Sequence, residues 1–281
     1  MSEVLSAFDS IAKKANEAIP IEDGDYYGED GLLYCGKCHT KKQHRDMYFR
    51  IGNITMCLCK CAKEERNREE EDRKRMELAD QIKKYRAVGF SEEDMKNWTF
   101  ANDDRANEKL SNAMRNYVEN FDKYKAEGKG LLLYGDTGRG KTFAACCVAN
   151  ALIDKGVPVL VTQFARIRNE LWGMNEGRQE YLDNLNKFPL LVIDDLAAES
   201  KTEYMGELIY NVIDSRERAK LPIIITTNLT KEELERPADM NYKRIFSRLF
   251  GNCIPVKVDG KDRRKQRLIA DFDSMRGELG L

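Results

Sequence analysis

The segment LLLYGDTGRGKT, residues 131–142, constrains the fold of this 281-residue chain more than any other. An apolar run leads into a turn with three glycines, and the turn ends in Lys141 and Thr142. This order is typical of a buried strand that passes through a tight loop into a helix. Such a loop turns its backbone amides toward phosphate oxygens, and the helix adds the positive end of its dipole. The pattern GxxxxGK[ST] therefore predicts a loop that binds a nucleoside triphosphate.

Individual residues of this loop have separate expected roles. We expect Lys141 to reach the β and γ phosphates and the Thr142 hydroxyl to bind Mg²⁺. The expected nucleotide contacts are Gly135, Asp136, Thr137, Gly138, Arg139, Gly140, Lys141, Thr142 and Phe143.

Two further apolar runs end in polar residues that suit the same chemistry. LLVIDDL ends in an acid pair, and a strand end of this kind places carboxylates beside the metal of a nucleotide site. We expect Asp194 to hold Mg²⁺, mostly through water, and Asp195 to polarise the attacking water. Asn228 follows the run IIITT, where its amide would orient that water. Asp and Asn at strand ends also serve as turn residues, so these roles depend on the loop upstream.

Short apolar runs alternate with helical stretches from about residue 91 onward. This alternation predicts a parallel α/β sheet covered by helices on both faces. The candidate strands are residues 130–135, 157–164, 188–196, 221–228 and 253–258.

Composition excludes several classes of protein. The net charge of −1 gives no overall sign of nucleic-acid affinity, so any such surface is a local patch. The sequence contains no run of about 18 apolar residues, so it predicts no transmembrane helix. The first twenty residues also lack the pattern of a secretory signal. We therefore expect a cytoplasmic protein whose eight cysteines are thiols or metal ligands.

Five of the eight cysteines lie in CGKC (35–38) and CLCKC (57–61), which predict a tetrahedral Zn²⁺ site. With so few apolar residues, this segment needs the metal to fold. A redox CxxC is the rival interpretation, but it normally opens a helix in a thioredoxin-like unit. His39 and His44 are weaker candidates beside so many thiols. The expected ligands are Cys35, Cys38, Cys59 and Cys61, with Cys57 as the substitute for either of the last two.

A charged run, residues 63–75, separates the cysteines from the α/β pattern. Glu, Lys and Arg at helical spacing favour an exposed helix. We therefore expect three parts: a zinc-binding domain over 1–62, a helical linker over 63–90, and an ATPase domain over 91–281.

Residues 91–281 resemble the DnaC/DnaI family of replicative helicase loaders within the AAA+ ATPases, phage-encoded relatives in particular. The resemblance rests on GDTGRGKT, LLVIDDLAAE, IYNVIDSR, LPIIITTNL, RIFSRLFGNC and GKDRR. It implies a five-stranded parallel sheet with ATP at the switch point, and a reduced lid because little chain follows residue 258.

The resemblance also assigns roles to polar residues. Asn228 would be sensor 1. Arg248 would be the arginine finger that reaches a neighbouring subunit, with Arg244 as a second candidate one helical turn earlier. Arg264 would be the sensor 2 arginine, although Arg263 is close enough to replace it. A finger that acts on another subunit implies weak hydrolysis by the isolated chain and activity on assembly.

By resemblance, the partners are a hexameric replicative helicase, bound through the N-terminal region, and single-stranded DNA. Phe164 and Trp172 alternate with arginines over residues 164–178, which suits single-stranded DNA, but Trp172 and Leu171 suit a core equally well. The resemblance also places Lys201, Thr202 and Tyr204 near a central pore. The alternatives are an ATP-binding regulator of a transposase, which would share this core, and a nucleotide-dependent scaffold without DNA contact.

Overall fold

The computed structural model describes residues 20–45, 54–174, 176–196 and 202–265, together with residues 268, 272, 275 and 276. The chain divides into two compact units, residues 1–78 and 79–281. The three-part division expected from the sequence stays a prediction, and residues 1–19 of its first part lie outside the described ranges.

The first unit contains two small antiparallel sheets. Strand β1 (Tyr26–Tyr27) pairs with β2 (Leu33–Tyr34), and β3 (Gln43–Arg45) pairs with β4 (Ile54–Met56). Helix α1 (Lys60–Val88) follows and carries the charged run, with no buried residue along its length. Pairs one turn apart stabilise it, such as Lys74 with Glu70 at 2.9 Å.

The second unit alternates helices and strands. After a 3₁₀ helix (Glu93–Asn97) its helices are α2 (Glu108–Glu119), α3 (Phe121–Glu127), α4 (Lys141–Asp154), α5 (Phe164–Trp172), α6 (Arg178–Leu185), α7 (Glu203–Arg218), α8 (Lys231–Glu235) and α9 (Met240–Asn252). Its strands are β5 (Gly130–Tyr134), β6 (Val159–Gln163), β7 (Leu190–Leu196), β8 (Ile223–Thr227) and β9 (Cys253–Lys257).

All five strands form one parallel sheet in the order β6-β7-β8-β5-β9. The predicted parallel sheet is therefore confirmed, with a strand at each of the five apolar runs. Successive side chains point to opposite faces of a strand. Leu131 and Leu133 accordingly pack in a core with α2 and α4, whereas Leu132 packs in a second core with α5, α7 and α9.

Neighbouring strands in this order bring distant segments of chain together. Strand β8 lies between β7 and β5, and the carboxyl ends of parallel strands meet at the same edge of the sheet. The glycine loop after β5, the acids of β7 and Asn228 after β8 therefore lie side by side. No helix in the described part of the chain is both long enough and apolar enough to cross a membrane.

Candidate functional site

The glycine loop between β5 and α4 has a backbone that only glycine adopts readily. Gly135, Gly138 and Gly140 have φ values of 133°, 75° and 90°. A side chain at Gly138 would also collide with the carboxylate of Asp262. The loop thus keeps an open concave backbone at the positive N-terminal end of a 14-residue helix.

Lys141 begins this helix and is buried. Its ammonium donates to the carbonyl oxygens of Gly135 and Asp136 at 2.8 and 2.7 Å, and to Oδ1 of Asn228 at 2.7 Å. Burial lowers the pKa of Lys141, while Asp195 and then Asp194 act in the opposite direction. The three acceptors use all three N–H groups of the ammonium, and phosphate oxygens could take the same donors.

The acid pair lies opposite this lysine. Oδ1 of the buried Asp194 accepts a hydrogen bond from the Thr226 hydroxyl at 2.6 Å. Asn228 Nδ2 donates to Oδ1 of Asp195 at 2.7 Å. Burial raises the pKa of Asp195, and the charge of Asp194 adds to this effect, while Lys141 opposes it. Asn228 therefore connects Lys141 to Asp195 directly.

A cavity of about 520 Å³ opens over these groups. Asn97 and Asn102, which come before α2 in the chain, form part of its walls. In the structure Trp98 both packs against the core and lines the cavity, with its ring 6.3 Å from that of Phe143. The lining residues are Asn97, Trp98, Asn102, Thr137–Phe143, Asp194, Asp195, Thr226, Asn228, Arg263 and Arg264.

Arg263 and Arg264 both line this cavity, but among the described residues only Arg263 forms an ion pair. Arg263 forms an ion pair with Asp104 at 2.7 Å, and its backbone N–H donates to the Gly138 carbonyl at 2.9 Å. Arg264 has no ion-pair partner within the described part of the chain. Its charge nevertheless acts on Lys141 and Asp195: burial lowers the pKa of Lys141 and Arg264 adds to this effect, while burial raises the pKa of Asp195 and Arg264 opposes that rise. Among the described residues, Arg264 is thus a cation without an ion-pair partner that lines the cavity and is available to an anion there.

Arg248 lies on α9 and is absent from the lining of the cavity. Its guanidinium pairs with Asp214 at 2.7 Å and with Glu217, and it donates to the Tyr210 hydroxyl at 2.7 Å. These partners, Glu217 first, raise the pKa of Arg248. Arg244 stacks on the ring of Tyr210, 4.7 Å from its centre. The two finger candidates therefore share one aromatic support on α7.

The residues proposed for DNA differ in exposure. Trp172 is 79% exposed, whereas its neighbour Leu171 is buried in the core. Tyr204 is 41% exposed. Thr202 caps α7, because its hydroxyl accepts from the Met205 backbone at 3.3 Å. Lys201 lies outside the described residues.

In the first unit, four sulfur atoms converge. Those of Cys35, Cys38, Cys59 and Cys61 all lie within 4.8 Å of one another. Cys61 Sγ is 3.6 Å from that of Cys35 and 3.3 Å from that of Cys59. Tetrahedral Zn–S bonds of about 2.3 Å require sulfur separations of about 3.8 Å. The cluster therefore has the size and donor set that zinc prefers.

The chemical state of two thiols also suits a metal. Backbone N–H groups of Cys38 and Lys37 lower the pKa of Cys35. The Thr40 hydroxyl contributes most to lowering the pKa of Cys38 to about 5. Both shifts are toward the thiolate, which is the form that binds zinc. In the same cluster, burial raises the pKa of Cys59, and the thiol of Cys59 contributes most to raising the pKa of Cys61 to about 12.

The alternative ligands have other contacts. Cys57 Sγ lies 3.5 Å from the Lys41 carbonyl and stays outside the cluster. His39 Nδ1 is 3.3 Å from the Tyr26 hydroxyl, and His44 Nε2 is 3.0 Å from the Thr55 hydroxyl. The structure thus brings together the four cysteines favoured by the sequence.

The sequence is similar to two proteins named as replicative helicase loaders. The replicative helicase loader DnaI of Bacillus subtilis strain 168 is 32% identical over 169 residues, which are 54% of each chain. The replicative helicase loader DnaC of Escherichia coli strain K12 is 30% identical over 147 residues, 50% of this chain and 58% of DnaC. The chain thus spans just over half the length of these curated relatives.

A third relative has a name that indicates a different role. A Sinorhizobium fredii protein named as an insertion sequence ATP-binding protein is 32% identical over 109 residues, 38% of this chain and 36% of that protein. Among solved structures, the crystal structure of DnaI matches 61% of this chain and 96% of its own, with 22% identity and a TM-score of 0.52. That likeness shows a shared fold.

The family of IstB-like ATP binding proteins matches residues 62–270, about three quarters of the sequence. This match includes the glycine loop, the acid pair, Asn228 and the two C-terminal arginines that line the cavity. The chain belongs to the IstB-like ATP binding protein family.

Proposed function

We propose that this protein is an ATP-dependent loader that places a hexameric replicative helicase on single-stranded DNA. The observation that carries the proposal is the network in which Asn228 joins Lys141 to Asp195 at the wall of the cavity. In an ATPase, such a network links the group that holds the γ-phosphate to the group that activates water. The similarity to relatives named as helicase loaders supports the proposed biological role.

On this proposal, the glycine loop and Lys141 bind the phosphates of ATP. The amides of the loop from Gly138 to Thr142 hold the phosphates, and Lys141 exchanges its carbonyl acceptors for β and γ oxygens. Bound Mg²⁺ neutralises the phosphate charge. Thr142 and Asp194 would hold that ion.

Other residues of the cavity act on the attacking water and the terminal phosphate. Asp195 accepts a proton from water that Asn228 orients. Arg264 contacts the terminal phosphate, since its guanidinium lines the cavity and has no ion-pair partner among the described residues.

Hydrolysis on this proposal depends on assembly. Arg248 is the finger for the site of a neighbouring copy, and it must leave Asp214 and Glu217 before it can reach a phosphate there. An isolated chain therefore hydrolyses ATP slowly. Turnover should rise when several copies assemble on the helicase.

Single-stranded DNA would bind next to Trp172. A Trp that is 79% exposed offers a ring face on which a base can stack. Arg168 lies one turn earlier on α5 and so shares its face, where its charge favours the phosphate backbone. Tyr204 is the second aromatic candidate.

The cysteine cluster serves a structural role in the proposal. Cys35, Cys38, Cys59 and Cys61 would hold Zn²⁺, which ties the two small sheets of the first unit together. The resulting module docks on the helicase in the bacterial cytoplasm.

The test combines three variants in a helicase-loading assay. Lys141→Ala should weaken ATP binding by at least about tenfold and abolish loading, because it removes the ammonium that contacts the phosphates. Asp195→Asn should bind ATP but lose hydrolysis. Lys257→Ala, an exposed lysine paired with Asp259 at 3.1 Å, is the matched control and should behave as wild type. Wild-type protein that binds no ATP in calorimetry would refute the proposal.

The DNA contact has its own test. Trp172→Ala should reduce the affinity for an oligo(dT) strand by about tenfold, since base stacking contributes about 1–3 kcal/mol. Tyr27→Ala changes an aromatic residue of similar exposure, 65%, in the first unit and should leave DNA affinity unchanged. Equal affinity of wild type and Trp172→Ala would exclude this surface.

A transposase regulator is the second candidate, favoured by the insertion sequence relative. Pull-down against a replicative helicase and a transposase, each with ATP, separates the two. Retention of the transposase alone would replace the loader proposal.

A further inference from the structure

One buried hydroxyl lies between the two acids of the nucleotide cavity. Thr226 is on β8 and 1% exposed. Its Oγ1 is 2.6 Å from Oδ1 of Asp194 and 2.9 Å from the backbone N of Asp195. Because an amide N–H can only donate, the hydroxyl accepts there, and its own proton goes to Asp194.

This contact coincides with an interruption in the sheet. Along β7 and β8, Ile193 pairs with Ile225 and Leu196 with Thr227, so the two acids lie opposite the single residue Thr226. Two residues opposite one residue of the neighbouring strand form a β-bulge, in which the regular backbone pairing is lost.

The backbone of Asp195 shows the effect of the bulge. It has φ 59°, a left-handed conformation that is uncommon outside glycine. The Thr226 hydroxyl thus replaces the missing backbone partner of the Asp195 amide.

From this geometry we propose that Thr226 is a positioning residue for both acids, a statement that rests on the proposed ATPase function. Its hydroxyl anchors Asp195 in the left-handed conformation from which the carboxylate meets Asn228. It also occupies one oxygen of Asp194 and leaves the other oxygen for magnesium. One side chain thereby couples the metal-binding acid to the water-activating acid.

The adjacent residue provides a matched control. Thr227 lies on the same strand and is 0% exposed. Its hydroxyl donates to the Leu196 carbonyl at 2.8 Å and also lies between β7 and β8. Thr227→Val therefore removes an equally buried hydroxyl from the same strand pair without touching either acid.

The experiment compares Thr226→Val, Thr226→Ser and Thr227→Val in the full chain. Thr226→Val should lower kcat by about tenfold to about 100-fold, because the acids lose their alignment, while KM for ATP stays within about threefold. Thr226→Ser keeps the hydroxyl and should restore kcat. Thr227→Val should lose about as much thermal stability as Thr226→Val but keep the wild-type kcat.

A binding measurement makes the result independent of turnover. In calorimetry, magnesium should tighten ATP binding less in Thr226→Val than in wild type or Thr227→Val. If Thr226→Val does not fold, Thr226→Ala takes its place in the same comparison. Equal losses of kcat and of the magnesium effect in Thr226→Val and Thr227→Val would overturn the inference. Absence of hydrolysis in wild type, measured with the helicase present, would instead refute the ATPase proposal and leave the magnesium comparison valid.

Discussion

The two units of this chain achieve stability by different physical means. In the first unit, the described buried apolar residues are Leu32, Leu33, Cys35 and Cys59, and two of these belong to the sulfur cluster. The second unit buries two large apolar clusters on either face of a five-stranded sheet. The sheet depends on the hydrophobic effect, whereas on the zinc proposal the first unit, with so little apolar burial, depends on a metal.

The two units also differ in the groups that surround a buried cationic side chain. In the first unit, Lys42 pairs with Asp25 at 2.6 Å, and this hydrogen bond contributes most to lowering the pKa of Asp25 to about 2. In the second unit, Arg216 is 1% exposed and donates only to backbone carbonyls within the described ranges, those of Leu185, Phe188, Pro189 and Pro222. The small unit neutralises Lys42 with an acid. The large unit instead surrounds the terminal nitrogens of Arg216 with backbone carbonyls, and the Nε of Arg216 has no hydrogen-bond partner among the described residues.

The largest expected effect is that of zinc removal. Chelation or Cys35→Ser should unfold the first unit, because structural zinc contributes on the order of 10 kcal/mol to modules of this kind. Amide exchange would report lost protection at Leu33 and Lys42, with protection retained at Ile224. A first unit that stays protected without metal would break the contrast between the units.

The next effect in size is a cavity in the second unit. Leu132 is 0% exposed in the middle of β5, so Leu132→Ala should reduce the free energy of unfolding by about 3 kcal/mol. Urea unfolding of the second unit measures this loss. Zinc content should equal that of wild type, and a parallel loss of zinc would show that the two units are not independent.

A smaller effect is expected at the buried arginine. Arg216→Met keeps much of the side-chain volume but leaves carbonyl oxygens without a donor, which should cost about 2 kcal/mol of unfolding free energy. The control is Arg218→Met two residues later, where the side chain is 75% exposed and pairs with Asp214. That change should cost less than about 0.5 kcal/mol. Equal losses in the two variants would mean that the carbonyl contacts add nothing.

The smallest effect is expected at the fifth cysteine. Cys57→Ser should leave zinc content and amide protection unchanged, because its sulfur lies outside the cluster. Cys61→Ser should lose zinc. Metal analysis of the two purified variants tests this pair, and zinc loss in Cys57→Ser would reassign the fourth ligand.

The sequence by itself determined the local features of this protein. The strand, glycine turn and helix around Lys141 are adjacent in the chain, and so are the apolar run and acids of β7. Local backbone preference and side-chain periodicity are sufficient to predict such features. All five strands of the sheet were predictable for this reason.

Only the tertiary structure decided which distant groups meet. The choice of Cys59 and Cys61 over Cys57, the engagement of Arg263 rather than Arg264, and the exposure of Trp172 all depend on contacts far apart in sequence. The place of Thr226 between two acids depends on a bulge in the register of β7 against β8, and no local pattern encodes that register. Spacing along the chain names candidate residues, whereas packing between elements determines which of them share a site.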